Sequence, residues 1–197
     1  MFKQRVVFVH GAGSFGAAAW PRQHGMALAY DALFLRRLGC DSTDVAAPSF
    51  DGDAAIILRS LHDDGRGASG GHVVAHAQGA VPAMLAAVER PDLVHSLTLV
   101  EPACLSLTAD LPATAAHRAQ FRECAEAPLH IVPGVPTLVL TGGWEPLFEE
   151  IAGYLRETGA VHRTAAGGHR PHDSPEGDRA IREFIGGVSR NQPARAS

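Results

Sequence analysis

Short apolar, β-branched runs recur along this chain, and each stops at a glycine-containing or polar segment. Arg5–His10 reads RVVFVH, His72–His76 HVVAH, Ser96–Val100 SLTLV and Thr137–Leu140 TLVL, with a last, more polar run at Ala160–Ala165. Near-continuous apolar runs suit strands covered on both faces, and strands that alternate with helical stretches build βαβ units. The expected class is therefore α/β, a mostly parallel central sheet flanked by helices.

The segments between the runs carry the helices. Part of Ala17–Leu38 is expected to be helical, interrupted by Pro21 and Gly25, and Asp44–Ala47 is expected as a short second strand before Pro48. Asp53 is expected to N-cap a helix carrying Ile56, Ile57 and Leu61, and Gly65–Gly71 to form a loop. Val81, Met84, Leu85 and Val88 share one helix face at i, i+3, i+4 and i+7. Leu147, Ile151, Tyr154 and Leu155 mark a further helix, and Pro175 opens a final one carrying Ile181, Phe184 and Ile185. The stretch Glu101–Pro136 is proline-rich and weakly patterned, with a short helix expected around Thr114–Ala125. Its portion from about 104 to 134 is expected as a lid-like insert. Leu105, Leu107, Leu111, Phe121 and Leu129 there suit an apolar pocket wall or the core. The chain thus reads as one domain over 1–188 with a flexible tail at 189–197.

Composition removes several classes of function. Lys plus Arg number 17 against 21 Asp plus Glu, a formal charge of -4 over 197 residues, which gives no electrostatic footprint for nucleic acid or an anionic membrane. No apolar run approaches the roughly 18 residues that span a bilayer, and no signal-peptide pattern precedes Arg5. Cys40, Cys104 and Cys124 are odd in number and lack CxxC spacing, which suits a reducing compartment. A cytoplasmic location is expected, and a homo-oligomer is compatible with the composition.

The chemistry concentrates at Ala75-His76-Ala77-Gln78-Gly79, where a strand runs directly into a helix. Small residues two before and two after the centre let strand and helix approach closely around a strained central residue, the steric requirement of a nucleophile elbow. That pattern calls for serine at the centre. Here the centre is Ala77.

Taken with four further segments in order, the chain resembles the α/β-hydrolase fold superfamily. VVFVHGAG resembles a central strand and its His-Gly oxyanion loop, AHAQGA the GHSxGG elbow, and LVEPA the next strand end. TLVLTGGWEPL resembles the strand before the usual acid loop, and GGHRPHDSPE the loop that delivers the catalytic histidine. The resemblance spans roughly Arg5 to Gly187, with the extra N-terminal strands and large cap absent or reduced. It implies His169 as general base, with Glu101 or Glu145 as the carboxylate that orients it, Glu101 being favoured. It also implies an oxyanion hole from the backbone N–H groups of Ala12 and Gln78, next to Gly11. Ser14 and His24 are candidates for the pocket lining, and His76 for packing. The implied activity is hydrolysis of an ester, lactone or thioester through an acyl-enzyme, on a small, partly apolar acyl substrate and without a cofactor.

Ala77 cannot attack. Either serine has been replaced so as to trap a substrate, the reading that the retained His169, both glutamates and oxyanion loop favour, or a natural chain binds or acts as a non-covalent lyase or cyclase. Two other readings compete. Gly11-Ala12-Gly13-Ser14-Phe15-Gly16 satisfies GxGxxG after a strand, the fingerprint of dinucleotide binding, but DVAAP supplies no acidic residue at its end. The spacings His72-x-x-x-His76 and His169-x-x-His172 raise a metal site, but one pair lies on a strand and neither has further ligands nearby in sequence.

Overall fold

A computed structural model describes residues 3–40, 47–62, 70–121, 129 and 131–191. Its strands are β1 (Arg5–Val9), β2 (Asp31–Leu35), β3 (Gly71–His76), β4 (Val94–Val100), β5 (Thr137–Thr141) and β6 (Val161–Thr164), all parallel in the order β2-β1-β3-β4-β5-β6. The helices are α1 (Phe50–Leu61), α2 (Ala80–Glu89), α3 (Pro112–Gln120), α4 (Pro146–Glu157) and α5 (Pro175–Asn191).

Alternation along β1 shows how both faces are filled. Val7 and Val9 join Ile57, Leu61, Met84 and Ile151 beneath α1, α2 and α4, while Val6 and Phe8 join Trp20, Met26, Ile181 and Ile185 beneath α5. The chain leaves β1 for β2 on one side and returns to β3 on the other. This reversal opens a crevice at the C-terminal ends of β1 and β3, where open α/β sheets bind ligands.

Several expectations need correction. Ala17–Leu38 holds no α-helix: Gly16–Ala19 and Gln23–Leu28 form short 3-10 turns and Asp31–Leu35 is β2. Pro21 and Gly25 break the helical pattern, and DALFL gains more by pairing with β1, where Asp31 accepts from Arg5 at 2.6 Å and Phe34 stacks on Phe8 at 4.7 Å. Ser49, not Asp53, caps α1 by accepting the Gly52 N–H at 3.0 Å. Asp53 sits inside the first turn, buried against Arg37. Of the strand expected at Asp44–Ala47, only Ala47 is described, and it is irregular. Of the loop expected at Gly65–Gly71, residues 65–69 lie outside the described residues, and Gly71 opens β3.

The buried face of α2 is broader than its spacing suggests and includes Ala80, Ala83, Ala86 and Ala87, whereas Val88 is exposed. α3 starts two residues before the expected helix, whose end at 122–125 lies outside the described residues. α5 continues through Ser189 to Asn191, so the expected tail is helical there; 192–197 lie outside. Among the described residues, no helix is long and apolar enough to cross a membrane.

Candidate active site

The elbow forms through its neighbours. β3 ends at His76 and the chain turns at Ala77 with φ +50, a left-handed conformation that alanine adopts only under constraint. Gly79 supplies one constraint, since a Cβ there would lie 2.6 Å from the His10 carbonyl oxygen and 2.7 Å from that of Val9. Gly11 supplies another, since its Cβ would meet the Ala77 Cβ at 2.9 Å. The Ala77 carbonyl also accepts the Ala103 N–H at 3.1 Å. β1, β3 and the segment after β4 therefore clamp the turn with backbone groups.

His10 sets the loop beside it. Its buried ring accepts the Arg37 backbone N–H at Nε2 (3.1 Å) and donates from Nδ1 to the Gly11 carbonyl (2.7 Å). Burial lowers its pKa below the ordinary 6.5, consistent with this neutral tautomer. The Ala12 N–H has no backbone acceptor among the described residues, and the Gln78 N–H lies in the first turn after the elbow, where helix donors lack partners. A cavity of about 330 Å³ opens beside both residues, lined also by Gly13, Phe15, Arg37 and Phe50. Neither Ala77 nor His169 lines it. Ser14 is half-buried outside that lining, and His24 is turned toward the Ala17 carbonyl at 2.7 Å.

Glu101 and His169 meet across the sheet edge. Glu101 directly follows β4, at φ +46, and is fully buried. Its Oε1 accepts the Gly142 N–H at 2.6 Å, its Oε2 accepts the Trp144 Nε1–H at 2.9 Å, and Oε2 lies 3.5 Å from His169 Nδ1. His169 also packs on the rings of His76 at 4.7 Å and Phe148 at 5.2 Å, and its side chain is still 43% exposed. Glu145 is placed differently: it precedes α4, half-buried, and its side chain makes no hydrogen bond or ion pair among the described residues.

The His169 loop is held from below. Gly142 and Gly168 approach so closely that a Cβ on Gly142 would lie 2.0 Å from the Gly168 carbonyl oxygen. His76 donates from Nε2 to the His169 carbonyl at 2.8 Å, and burial pushes its pKa down to about 3, leaving a neutral ring that can take this role. His172 is buried against Trp20 and His76, lowered to about 3 chiefly by burial, then by Arg170. Gln23, also buried, donates to the His172 carbonyl at 2.9 Å, and Arg170 donates to the Ala19 carbonyl at 2.6 Å. The 3-10 segment before β2 thus anchors the loop. Sequence reasoning missed Trp144, Gln23 and Arg37. Trp144 had a signal, its position inside GGWEP; the other two act across about 150 and 16 residues of chain and had none.

The competing readings find less support in this geometry. The GxGxxG loop leads into a 3-10 turn rather than an α-helix whose N-terminus would meet a pyrophosphate, and β2 is followed by Arg36 and Arg37 rather than an acid. His72 stands at the other end of β3 from His76, between Ser96 Oγ at 2.8 Å and Ser189 Oγ at 3.1 Å. Among the described residues, no three potential ligands converge on a metal site.

No family model matches the chain, and no curated protein matches it. Solved structures do. NosK from Streptomyces actuosus is 23% identical, with a TM-score of 0.69 over 95% of this chain and 99% of that one. Naproxen esterase (carboxylesterase NP) from Bacillus subtilis is 15% identical, with a TM-score of 0.63 over 92% and 84%. An N-acyl homoserine lactone degrading enzyme is 15% identical, with a TM-score of 0.67 over 92% and 93%. The chain has the α/β-hydrolase fold.

Proposed function

We propose that this site binds the acyl group of a carboxylic ester, lactone or thioester, and that it is a serine-type hydrolase centre whose nucleophile position is held by Ala77. The observation that carries the reading is the His169–Glu101 pair, 3.5 Å apart on the same sheet edge as a residue turned at φ +50. With serine at 77, the hydroxyl oxygen would bond to the acyl carbon while His169 Nε2 takes its proton. The carbonyl oxygen, now anionic, would accept the N–H groups of Ala12 and Gln78. Collapse would return the proton from His169 to the departing alkoxide or thiolate, and water would then release the acid by the same steps. Glu101 would keep the Nδ1–H of His169 directed at its own Oε2; such contacts tighten once substrate is bound. That two neighbours in fold are an esterase and a lactone-degrading enzyme agrees with this substrate class.

As it stands the chain would bind such a substrate without acylation, since loss of the nucleophile removes on the order of 10⁶ in kcat. This is the behaviour of a substrate-trapping form. The partial exposure of the His169 side chain supports a second reading, in which the same base acts without a covalent step as a lyase or cyclase. Of the stretch 104–134, the described and exposed Leu111 and Phe121 would form a lid-like wall on the acceptor side, since Leu105 and Leu129 are packed in the core.

The test is Ala77→Ser, assayed with a fluorophosphonate probe and a panel of activated esters and lactones. Labelling and turnover confined to the serine form, and lost again with His169→Ala, are expected. A folded serine form that stays inert would refute the hydrolase reading and leave the non-covalent one.

A further inference from the structure

The cavity beside the oxyanion loop carries a feature that acyl binding alone does not require. Arg37 lines it, and its side chain is only 6% exposed. Asp53, 2% exposed, accepts the Arg37 Nε–H at 2.8 Å through Oδ2 and the Leu38 N–H at 2.8 Å through Oδ1. Asp53 is thus occupied by one guanidinium N–H and one backbone N–H. The two terminal NH2 groups of Arg37 make no hydrogen bond among the described residues. A guanidinium offers five donors in a planar fork, and a desolvated one with its end unoccupied is suited to a carboxylate in bidentate geometry.

The surroundings agree. Phe50 lies under the Arg37 guanidinium at 5.7 Å, and Phe15, also in the lining, carries Arg36 at the same distance. Ser49 and Phe50 at the start of α1 also line the cavity, so the positive end of a 12-residue helix faces it. Among the described residues, the acidic groups at the start of α1 are Asp53, already engaged, and Asp51, which is solvent-exposed.

We infer that the cavity receives an acyl chain ending in a second carboxylate, as in a half-ester or half-thioester of a dicarboxylic acid, with Arg37 as the residue that selects it. The inference rests on the acyl-binding reading of the elbow, because Ala12 and Gln78 line the cavity and also flank the position where the substrate carbonyl would sit. The neutral arm of an ordinary ester would leave the Arg37 end unpaired in a largely desolvated site, which costs affinity.

Because Ala77 prevents turnover, binding can be read directly on the chain as it exists. Calorimetric titration with monoethyl glutarate and with ethyl pentanoate compares an anionic and a neutral arm of equal length. About tenfold or more in favour of monoethyl glutarate is expected, the scale of one charge-assisted pair. The preference is expected to vanish in Arg37→Met/Asp53→Asn, which removes both charges together so that neither is stranded, and to persist in part in Arg37→Lys. Unfolding curves establish that each variant is folded. Equal affinity for the two esters, or a preference that survives the double substitution, overturns the inference. The outcomes separate from those of the parent reading. An Ala77→Ser form that hydrolyses neutral and anionic esters alike keeps the hydrolase and removes the selectivity. Arg37-dependent anion binding with an inert serine form keeps the anion site and removes the hydrolase. Failure of both esters to bind removes both.

Discussion

Glu101→Gln separates the two candidate carboxylates more sharply than any other substitution, because every contact of Glu101 is with a donor. Oε1 faces the Gly142 N–H at 2.6 Å, and Oε2 faces the Trp144 indole N–H at 2.9 Å and His169 Nδ1 at 3.5 Å. A glutamine amide has one acceptor and one donor end, so either orientation sets NH2 against an N–H. The group is fully buried and no water-facing rotation relieves the conflict. One buried unsatisfied donor pair costs about 1–3 kcal/mol, which for a chain of this length lowers Tm by about 2–12 °C. In the Ala77→Ser background the same change removes the acceptor that selects the His169 tautomer, and kcat is expected to fall by about 10⁴. Glu145→Gln touches no such partner and should leave Tm within about 1 °C and kcat within about threefold. Circular-dichroism melts of the Ala77 chain and ester turnover by the serine form read the two quantities independently. An unchanged melt for Glu101→Gln, or a larger kcat loss for Glu145→Gln, would refute the assignment of Glu101.

Three further outcomes follow from the same geometry. Gly142→Ala would drive a Cβ to 2.0 Å from the Gly168 carbonyl, so the His169 loop must move; urea unfolding should show a loss of about 1–3 kcal/mol, and an unaffected midpoint would contradict the close approach. Burial holds His72 at about 4, and His76 and His172 at about 3, against an ordinary 6.5. The unfolded chain therefore takes these protons first as pH falls below 6.5. The stability these neutral rings provide is complete above that pH and is lost as it drops toward 4 and 3, at up to about 4 kcal/mol per pH unit for three groups. Urea midpoints flat between pH 7 and 5 would show that the rings are not held neutral. Cys104, buried with its thiol pushed up to about 12, should escape iodoacetamide at pH 8 in the native chain and be alkylated on unfolding, as peptide mapping by mass spectrometry would show.

What could be read from the sequence was what local pattern encodes. β3, β4 and β5, and the helices α2 and α4 that follow β3 and β5, fall where apolar runs and helical spacing put them, because buried parallel strands leave few alternatives to such runs. β2 was not legible. DALFL is a half-buried edge strand whose stability comes from Phe8, Arg5 and the β1 ladder, none of them adjacent in sequence. Asp53 likewise looks like a helix cap by position and is instead the partner of Arg37, a contact made only when the end of β2 packs on α1. At the site, Ala77, Glu101 and His169 stood out through motif spacing. The groups that brace them, His76 and Gln23 on carbonyls of the His169 loop and Trp144 on Glu101, act through tertiary approach that sequence position does not encode, even for Trp144, which stands inside GGWEP.

The strained turn at residue 77 is set by what surrounds it rather than by its own side chain. Alanine at φ +50 costs about 1–2 kcal/mol relative to an ordinary backbone. Nothing about a methyl group offsets that, so the turn must be imposed from outside. Gly79 lets the backbone of β1 pass at a distance no Cβ would allow, Gly11 does the same against Ala77 itself, and the Ala103 N–H holds the residue 77 carbonyl. The direction of the Gln78 N–H is a property of this backbone clamp, and so is that of Ala12, through the His10 bridge between Arg37 N–H and the Gly11 carbonyl. Both donors should consequently be indifferent to whether residue 77 is alanine or serine. It follows that the two forms should bind the secondary amide analogue of a substrate, whose carbonyl resists addition of a hydroxyl, with affinities within about threefold of each other while differing by orders of magnitude in ester turnover. A large affinity gap would mean that the side chain at 77, and not the backbone around it, organises the carbonyl site.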